Sequence, residues 1–205
     1  MNKIITISRE FGAGGHTIGK RVAQELGIEF YDRDIVRETA KASGIDPALI
    51  ENEGEDVSRT DSILKTICSA SSLQFNDTQV VIHDVQQAII VRLAQKGPCV
   101  ILGRCGDYVL RDRKDVLRVF IYAPVEWRRE LAKTDPLVKA HDEKGIKEEI
   151  EKTDRNRSAY YNYYTQNRWG DAHNYDLAIN AALGRETCVK MILDAVAAKE
   201  KAAEK

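Results

Sequence analysis

The sequence predicts an α/β fold, in which a parallel sheet is covered by helices on both faces. Four short, mainly apolar runs have the length and composition of buried strands, and helical or polar sequence separates each run from the next. The runs are IITI, CVILG, VLRVFIYA and YDLAINA, which begin at residues 4, 99, 116 and 175. A glycine-rich turn joins the first run to a helical pattern. Such alternation is typical of a parallel sheet between two helical layers.

The N-terminal segment has a strand, a loop and a helix in succession. Residues 4–7 predict the first strand, which leads into the glycine-rich turn. From Thr17 onward, apolar residues recur at helical spacing, and Gly27 predicts the end of that helix. A short extended piece follows. The next helix is predicted to begin near Asp32 or Asp34, where a carboxylate can cap free amide groups.

The rest of the chain divides into a further buried helix, two polar regions and a C-terminal helix. Residues 78–97 have apolar side chains at helical spacing and predict the buried helix. About residues 45–77 are polar and predict an insert. About residues 124–170 are rich in charge and tyrosine, with apolar positions too sparse for a core element, and predict helices over a site. We expect residues 1–205 to form a single domain.

Composition narrows the classes of partner. The 205 residues contain 31 Lys and Arg against 32 Asp and Glu, and this balance predicts no binding to nucleic acid or to an acidic membrane surface. The apolar runs are too short for a membrane span or a signal peptide, which predicts a cytosolic location. The 4 cysteines are scattered and are expected to be free thiols.

The turn after the first strand predicts an anion site. In SREFGAGGHTIGKR, a strand meets three glycines and then a helix, so that amide groups and a helix N-terminus point at one place. The alternative is an ordinary strand–helix turn. A formal G-x-x-x-x-G-K match through Gly14, Gly19 and Lys20 is rejected, because its last two residues fall inside the helical pattern. The predicted nucleotide-binding residues are Gly12, Ala13, Gly14, Gly15, His16 and Thr17.

Aligning the helix with that of a phosphate-binding loop places the usual lysine at Gly15 and the usual hydroxyl ligand at His16. Arg9 and Arg104 are the candidates to supply the missing charge, because guanidinium groups bind phosphate in a fork. For Arg9, a surface ion pair is the open alternative. Arg104 follows the second apolar run, where ligands of parallel sheets bind, and Asp107 is placed to orient it.

The charged region supplies further candidates. Asp154 and Arg157 are three residues apart, on one helix face, and can act together on transferring phosphoryl oxygens. The predicted catalytic group is therefore Arg9, Arg104, Asp154 and Arg157, and the predicted lid residues are Arg128, Arg129 and Arg155. The tyrosine-rich segment 160–164 is expected to pack the core or to meet a partner, with stacking on a base as the alternative.

These motifs together resemble the cytidylate kinase-like branch of the P-loop nucleoside monophosphate kinases. The likeness rests on ITISREFGAGGHTIGKRVAQELGIEFYDRD, ILGRCGDYVL and YYNYYTQNRWGDAHNYDLAIN. It implies a P-loop NTPase three-layer fold, with five parallel strands, helices on both faces, a nucleoside monophosphate-binding insert and a helical lid. It also implies phosphoryl transfer from ATP to CMP or dCMP, with Mg²⁺ brought in by the nucleotide.

The resemblance implies roles for individual residues. Gly12, Gly14 and Thr17 would hold ATP phosphates, and Arg104 would hold the CMP phosphate. With Arg104, the predicted acceptor-binding residues are Asp32, Arg37 and Asp107. The chain departs from the family pattern at Gly15, His16, Cys105 and Ile150. Two hypotheses follow: a phosphotransferase acting on a small-molecule nucleotide, or a non-catalytic nucleotide sensor or partner-binding module. Self-association into a homo-oligomer is left open.

Overall fold

A computed structural model describes residues 3–44, 75–134, 138, 140 and 142–203 of the chain. Most of the predicted insert at 45–77, together with Cys68, lies outside the described residues. Within them, the chain forms five strands and seven α-helices, with the following bounds: β1 Ile4–Arg9, α1 Gly15–Leu26, β2 Glu29–Tyr31, α2 Arg33–Ser43, α3 Phe75–Lys96, β3 Cys99–Leu102, α4 Gly106–Val109, β4 Val116–Tyr122, α5 Val125–Ala132, α6 Glu143–Thr165, β5 Leu177–Asn180 and α7 Arg185–Ala203.

The five strands form one parallel sheet in the order β2-β3-β1-β4-β5. In its centre, Ile5 of β1 is in register with Val100 of β3 on one side and with Leu117 of β4 on the other. Strands that are paired on both sides and buried on both faces are rich in apolar residues, as β1, β3 and β4 are, and the sequence of β3 is apolar throughout. The predicted α/β class and its five-stranded parallel sheet are confirmed.

Helices cover both faces of the sheet. On one face, Ile18 of α1 and Ile192 of α7 join Ile5 in a buried apolar cluster. On the other face, Ile90 of α3 packs in a second cluster with Ile101 of β3. The two clusters fix the positions of α1 and α3 along the strands. The loops that follow the parallel strands therefore meet at one edge of the sheet.

Two details differ from the sequence prediction. The short extended piece is a full strand, β2, at the sheet edge, where its half-exposed residues give little apolar signal. Helix α1 begins at Gly15, two residues before the apolar helical pattern that starts at Thr17, because Gly14 takes a left-handed conformation with φ 74° at the N-cap. The first helical turn therefore includes His16 and belongs to the glycine loop.

The expectation that residues 124–170 lack apolar packing is wrong. Val138, Ile146 and Ile150 are buried together with Ala132 at the end of α5, and Phe11 of the glycine loop packs against them. Ile146 and Ile150 lie one turn apart on α6, so a narrow apolar stripe is enough to pack that helix against its neighbours. This small cluster joins α5 and α6 to the glycine loop.

The cysteines and tyrosines behave largely as predicted. Cys99, Cys105 and Cys188 are free and buried. Tyr160 and Tyr161 are buried against Cys105, whereas Tyr163 is 68% exposed. Among the described residues, no helix combines the length and apolar character that crossing a membrane requires.

Candidate functional site

A cavity of about 610 Å³ lies over the glycine loop, at the edge of the sheet where the strands end. Its volume is within the range that small-molecule ligands occupy. The edge is also the one at which parallel α/β sheets bind ligands. It is lined by Arg9, Glu10, Phe11, Gly12, Ala13, Gly14, Gly15, His16, Thr17, Ile18, Asp32, Leu102, Trp127, Leu131, Thr134, Arg157, Ala181 and Arg185.

The glycine loop has the backbone geometry of an anion cradle. Gly12 and Gly14 are both left-handed, with φ 75° and 74°. A side chain at Gly12 would also crowd the Arg128 carbonyl oxygen, which lies 3.2 Å from the position of its Cβ. No side chain caps α1 at Gly14, and first-turn amide groups have no acceptor within a helix. An anion above the loop would meet these amides and the positive end of the helix dipole.

Arg9 and Gly15 are packed against each other. A Cβ atom added to Gly15 would lie 2.8 Å from both Cβ and Cγ of Arg9, closer than real side chains approach. Arg9 therefore fills the space in which a lysine at position 15 would begin.

The phosphate-loop motif G-x-x-x-x-G-K explains this contact when its second glycine is set on Gly14. Its first glycine then falls at Arg9 and its lysine at Gly15. The cation and the glycine have exchanged places. Counting back five residues from Gly14 is the sequence signal for this exchange.

His16 and Asp32 form a pair inside the cavity. The Nδ1 atom of His16 donates to Oδ2 of Asp32 over 2.9 Å, and the imidazole packs edge-on against Phe30 with ring centroids 5.2 Å apart. The helix predicted to begin near Asp32 or Asp34 begins at Arg33, but the Asp32 side chain does not cap it. Asp32 occupies the N-cap position but makes no side-chain cap hydrogen bond, because its backbone is not extended as a capping residue requires and its carboxylate faces His16.

Arg128 contacts the main chain of the glycine loop but does not line this cavity. It is 7% exposed, and its guanidinium donates to the carbonyl oxygens of Ala123 and Phe11, each over 3.0 Å. It also forms ion pairs with Asp154 and Glu10. Asp154 in turn accepts a hydrogen bond from the Phe11 amide over 2.7 Å. Arg128 and Asp154 thus fix the main chain of the loop.

The Glu10 carboxylate belongs to the same arrangement. Burial raises its pKa, while the Ala123 amide and the Arg128 guanidinium oppose this effect. Its Oε2 accepts the Ala123 amide over 3.0 Å, which ties the loop to the end of β4. The loop is therefore held by α5, α6 and β4 together.

Two more predicted catalytic residues lie beside the loop. Arg157 lines the cavity and donates to the Arg9 carbonyl oxygen over 3.1 Å, and its guanidinium lies 5.6 Å from the centre of the Phe11 ring. Arg104 lines a second cavity of about 20 Å³, which Arg9 and Arg157 also line. Arg104 has φ 55°, a left-handed conformation that non-glycine residues seldom adopt. Three predicted cations therefore meet where β1 and β3 end.

The other predicted residues lie outside both cavities. Asp107 is buried, and its Oδ2 accepts a hydrogen bond of 2.6 Å from the Tyr161 hydroxyl, while burial raises the pKa of its carboxyl group. Arg37 is exposed on α2. Arg129 is paired with Glu143, and Arg155 lies 3.9 Å from Glu151. The acceptor roles of Arg37 and Asp107, and the lid roles of Arg129 and Arg155, stay predictions.

The cavity also contains residues that sequence reasoning missed. Trp127, Leu131 and Thr134 come from α5 and the turn after it, and Arg185 begins α7. Both helices follow strands of the sheet, β4 and β5, and that placement was the signal available for them. Trp127 and Leu131 form an apolar wall of the cavity, and Arg185 adds one further cation at the end opposite Asp32.

The sequence of this chain matches a model described as the cytidylate kinase-like family over residues 4–182. The chain belongs to the cytidylate kinase-like family. Among curated proteins, a shikimate kinase from Marinomonas sp. (strain MWYL1) is 31% identical over 119 residues, which are 56% of this chain and 53% of that protein. The chain therefore spans about half the length of this curated relative.

Solved structures confirm the fold of this cytidylate kinase-like protein. An uncharacterized protein from Eubacterium ventriosum ATCC 27560 is similar with a TM-score of 0.70 and 25% identity, covering 97% of this chain and 99% of that one. Shikimate kinase from Bacteroides thetaiotaomicron is similar with a TM-score of 0.58 and 12% identity, covering 96% and 99%. The family and the P-loop kinase fold predicted from the sequence are both confirmed.

The position of the usual hydroxyl ligand for magnesium is occupied by a nitrogen base in this cavity. Kinase families generally use a nucleotide with Mg²⁺, which prefers oxygen ligands. Here His16 occupies the position of the hydroxyl ligand and is bonded to Asp32. Among the described residues, no group of three or more His, Cys, Asp or Glu side chains is arranged to hold a metal ion.

Proposed function

We propose that this cytidylate kinase-like protein transfers the γ-phosphoryl group of ATP to a small-molecule acceptor, with Arg9 in place of the loop lysine. The observation that carries the proposal is the packing of Arg9 on Gly15, inside a cavity built over the glycine loop. The chain has kept a cation at the loop while moving it to the other end of the motif. A loop that had lost its lysine without a replacement would not require an arginine side chain packed on Gly15.

Electrostatics support a phosphoryl-transfer role. Arg9, Arg157 and Arg185 line the cavity, against the carboxylates of Glu10 and Asp32. A guanidinium stays ionised at every physiological pH and binds two phosphate oxygens at once. Phosphoryl transfer depends mainly on such fixed positive groups around the transferring oxygens. In this proposal, Mg²⁺ would be brought in with the nucleotide. We also propose that the protein works in the cytosol.

Two acceptor classes follow from the relatives. The family description suggests a nucleoside monophosphate such as CMP or dCMP, whereas shikimate kinase suggests a small hydroxyl compound. A non-catalytic nucleotide sensor is the second candidate function, favoured by His16 at the position of the magnesium ligand. Both functions require ATP to bind the loop.

The test is ATP binding by calorimetry together with a coupled assay of ADP release over a panel of acceptors. Arg9→Ala should lower kcat by about 10²- to 10³-fold, the loss typical of one preorganised donor to the transition state. Lys20→Ala is the matched control, because Lys20 is exposed on α1 outside the cavity. ATP binding without turnover of any acceptor would leave the sensor, and absence of ATP binding would contradict the phosphate-loop argument.

A further inference from the structure

We infer that the acceptor is a hydroxyl compound, and that His16 takes the proton from its hydroxyl group. This inference rests on the proposed phosphotransferase function and concerns the acceptor end of the same cavity. Two residues carry it, His16 in the first turn of α1 and Asp32 directly after β2, which are joined by a hydrogen bond of 2.9 Å and both line the cavity.

The pair has the arrangement of an oriented general base. Asp32 accepts from Nδ1 of His16, which leaves Nε2 as the basic nitrogen of the ring. Phe30 packs against the ring and holds its plane. A carboxylate that fixes the tautomer and stabilises the imidazolium is the partner that a histidine base requires. His16 also immediately follows the glycines of the loop, where the transferring phosphate would lie.

The cavity has two chemically different ends. Trp127 and Arg185 follow β4 and β5, which lie together on one side of the sheet, whereas Asp32 follows β2 at the opposite edge. The glycine loop, after β1, is between them. A donor nucleotide with its base toward Trp127 would therefore present its terminal phosphate toward His16 and Asp32. The acceptor belongs at the Asp32 end.

The charge at that end opposes a phosphate acceptor. A phosphate monoester has a second pKa of about 6 and is largely a dianion at neutral pH, so it needs no base to become a nucleophile. It needs cations, but Asp32, which follows β2, brings a carboxylate to this end, whereas Arg9, Arg104 and Arg157 meet farther in, at the ends of β1 and β3. A hydroxyl group has the opposite requirements. It carries no charge to be repelled, and it must lose a proton as it attacks.

With ATP as the phosphoryl donor, each bond that forms in the proposed reaction is matched by a bond that breaks. The hydroxyl oxygen forms a bond to the γ-phosphorus, and the bond from that phosphorus to the bridging oxygen of the β-phosphate breaks. The hydroxyl proton passes to Nε2 of His16 and from there to solvent, while Asp32 stabilises the imidazolium. The products are ADP and a phosphate monoester of the acceptor.

The experiment measures ADP release and phosphorylated product with ATP, Mg²⁺ and two sets of acceptors. One set contains glycerol, shikimate and gluconate as hydroxyl probes, and the other contains CMP, dCMP, UMP and AMP. We expect turnover with a hydroxyl probe that exceeds turnover with every monophosphate. His16→Gln should lower kcat about 10²- to 10⁴-fold with little change in the KM for ATP. Asp32→Asn should give a smaller loss of kcat.

A matched control is available on the surface. His173 is also paired with an aspartate, Asp171, over 2.7 Å, but it is 94% exposed and lies outside the cavity. His173→Gln should therefore leave kcat unchanged, and thermal unfolding of each variant shows that it is folded. If His16→Gln transfers phosphate to CMP as fast as the parent protein does, this inference is wrong, but the proposed phosphotransferase function stands. ATP binding without transfer to any acceptor would overturn both.

Discussion

Exchanging the residues at positions 9 and 15 tests whether Arg9 has replaced the loop lysine. In Gly15→Lys alone, the new Cβ lies 2.8 Å from Cβ and Cγ of Arg9, against an ordinary contact of at least 3.4 Å. The two side chains must therefore separate by about 0.6 Å (3.4 − 2.8). Rotation moves the Arg9 Cγ, but its Cβ is fixed by β1. Such overpacking costs about 1–3 kcal/mol of unfolding free energy.

Each single variant should lose activity for a different reason. Arg9→Gly removes the cation and should lower kcat about 10²- to 10³-fold, or about 2.7–4 kcal/mol. Gly15→Lys distorts the loop and displaces Arg9. The double variant Arg9→Gly/Gly15→Lys removes the contact and returns a cation to the loop, so its losses should be smaller than the sum of the single losses.

Stability is measured by urea unfolding and activity by initial rates of ADP release. Both assays are run on the parent protein, the two single variants and the double variant. We expect the loss in the double variant to differ from the sum of the two single losses by about 0.5–3 kcal/mol, both in unfolding free energy and in activation free energy. Gly15→Ala adds only the Cβ and should show the stability loss without any new charge. A Gly15→Lys protein as stable and as active as the parent, with additive effects in the double variant, would refute the reasoning.

Three further predictions concern the supports of the site. Arg128→Met removes a buried guanidinium, leaves the half-buried Glu10 and Asp154 without it and should lower the unfolding free energy by about 3–5 kcal/mol in urea titrations, whereas exposed Arg155→Met should change it by less than about 0.5 kcal/mol. His83 is buried on α3, where its Nδ1 atom lies 2.9 Å from the hydroxyl oxygen of Tyr160. Burial lowers its pKa, so its contribution to stability is present above its unfolded pKa of about 6.5 and is lost as pH falls through the folded value. Urea unfolding from pH 8 to pH 5 should show this loss, and His83→Gln should reduce it. Tyr161→Phe removes the hydroxyl donor to Asp107 and should cost about 1–3 kcal/mol by the same titration, and an unchanged midpoint would contradict the role of this bond.

The parts of the fold that were predictable are those with a local signal. Strands β1, β3 and β4 are buried on both faces and are therefore mainly apolar, and helix α1 follows directly from the glycine turn. Strand β2 is at the sheet edge and half exposed, so it has no such run. The apolar packing of α6 was missed because Val138 and Ile150 are far apart in sequence and meet only when α5 and α6 fold together.

The site was predictable to a similar extent. The glycine loop follows from the succession of strand, glycines and helix, which is a local pattern. The pair of His16 and Asp32 has no local pattern, since it joins the start of one helix to the end of an edge strand. The same holds for Arg128 and Asp154, which are brought together by helix packing. Long-range ion pairs depend on the tertiary structure and cannot be read from spacing.

The bonds between α6 and the glycine loop bear on the entropy of ligand binding. Asp154 accepts a hydrogen bond from the Phe11 amide, and Arg157 donates one to the Arg9 carbonyl oxygen, so the loop is held by bonds within the chain. Fixing a flexible backbone costs about 1–2 kcal/mol per residue, and in this loop that ordering accompanies folding of the chain instead of ligand binding. Loosening α6 would therefore weaken phosphate binding without removing a single group that touches phosphate.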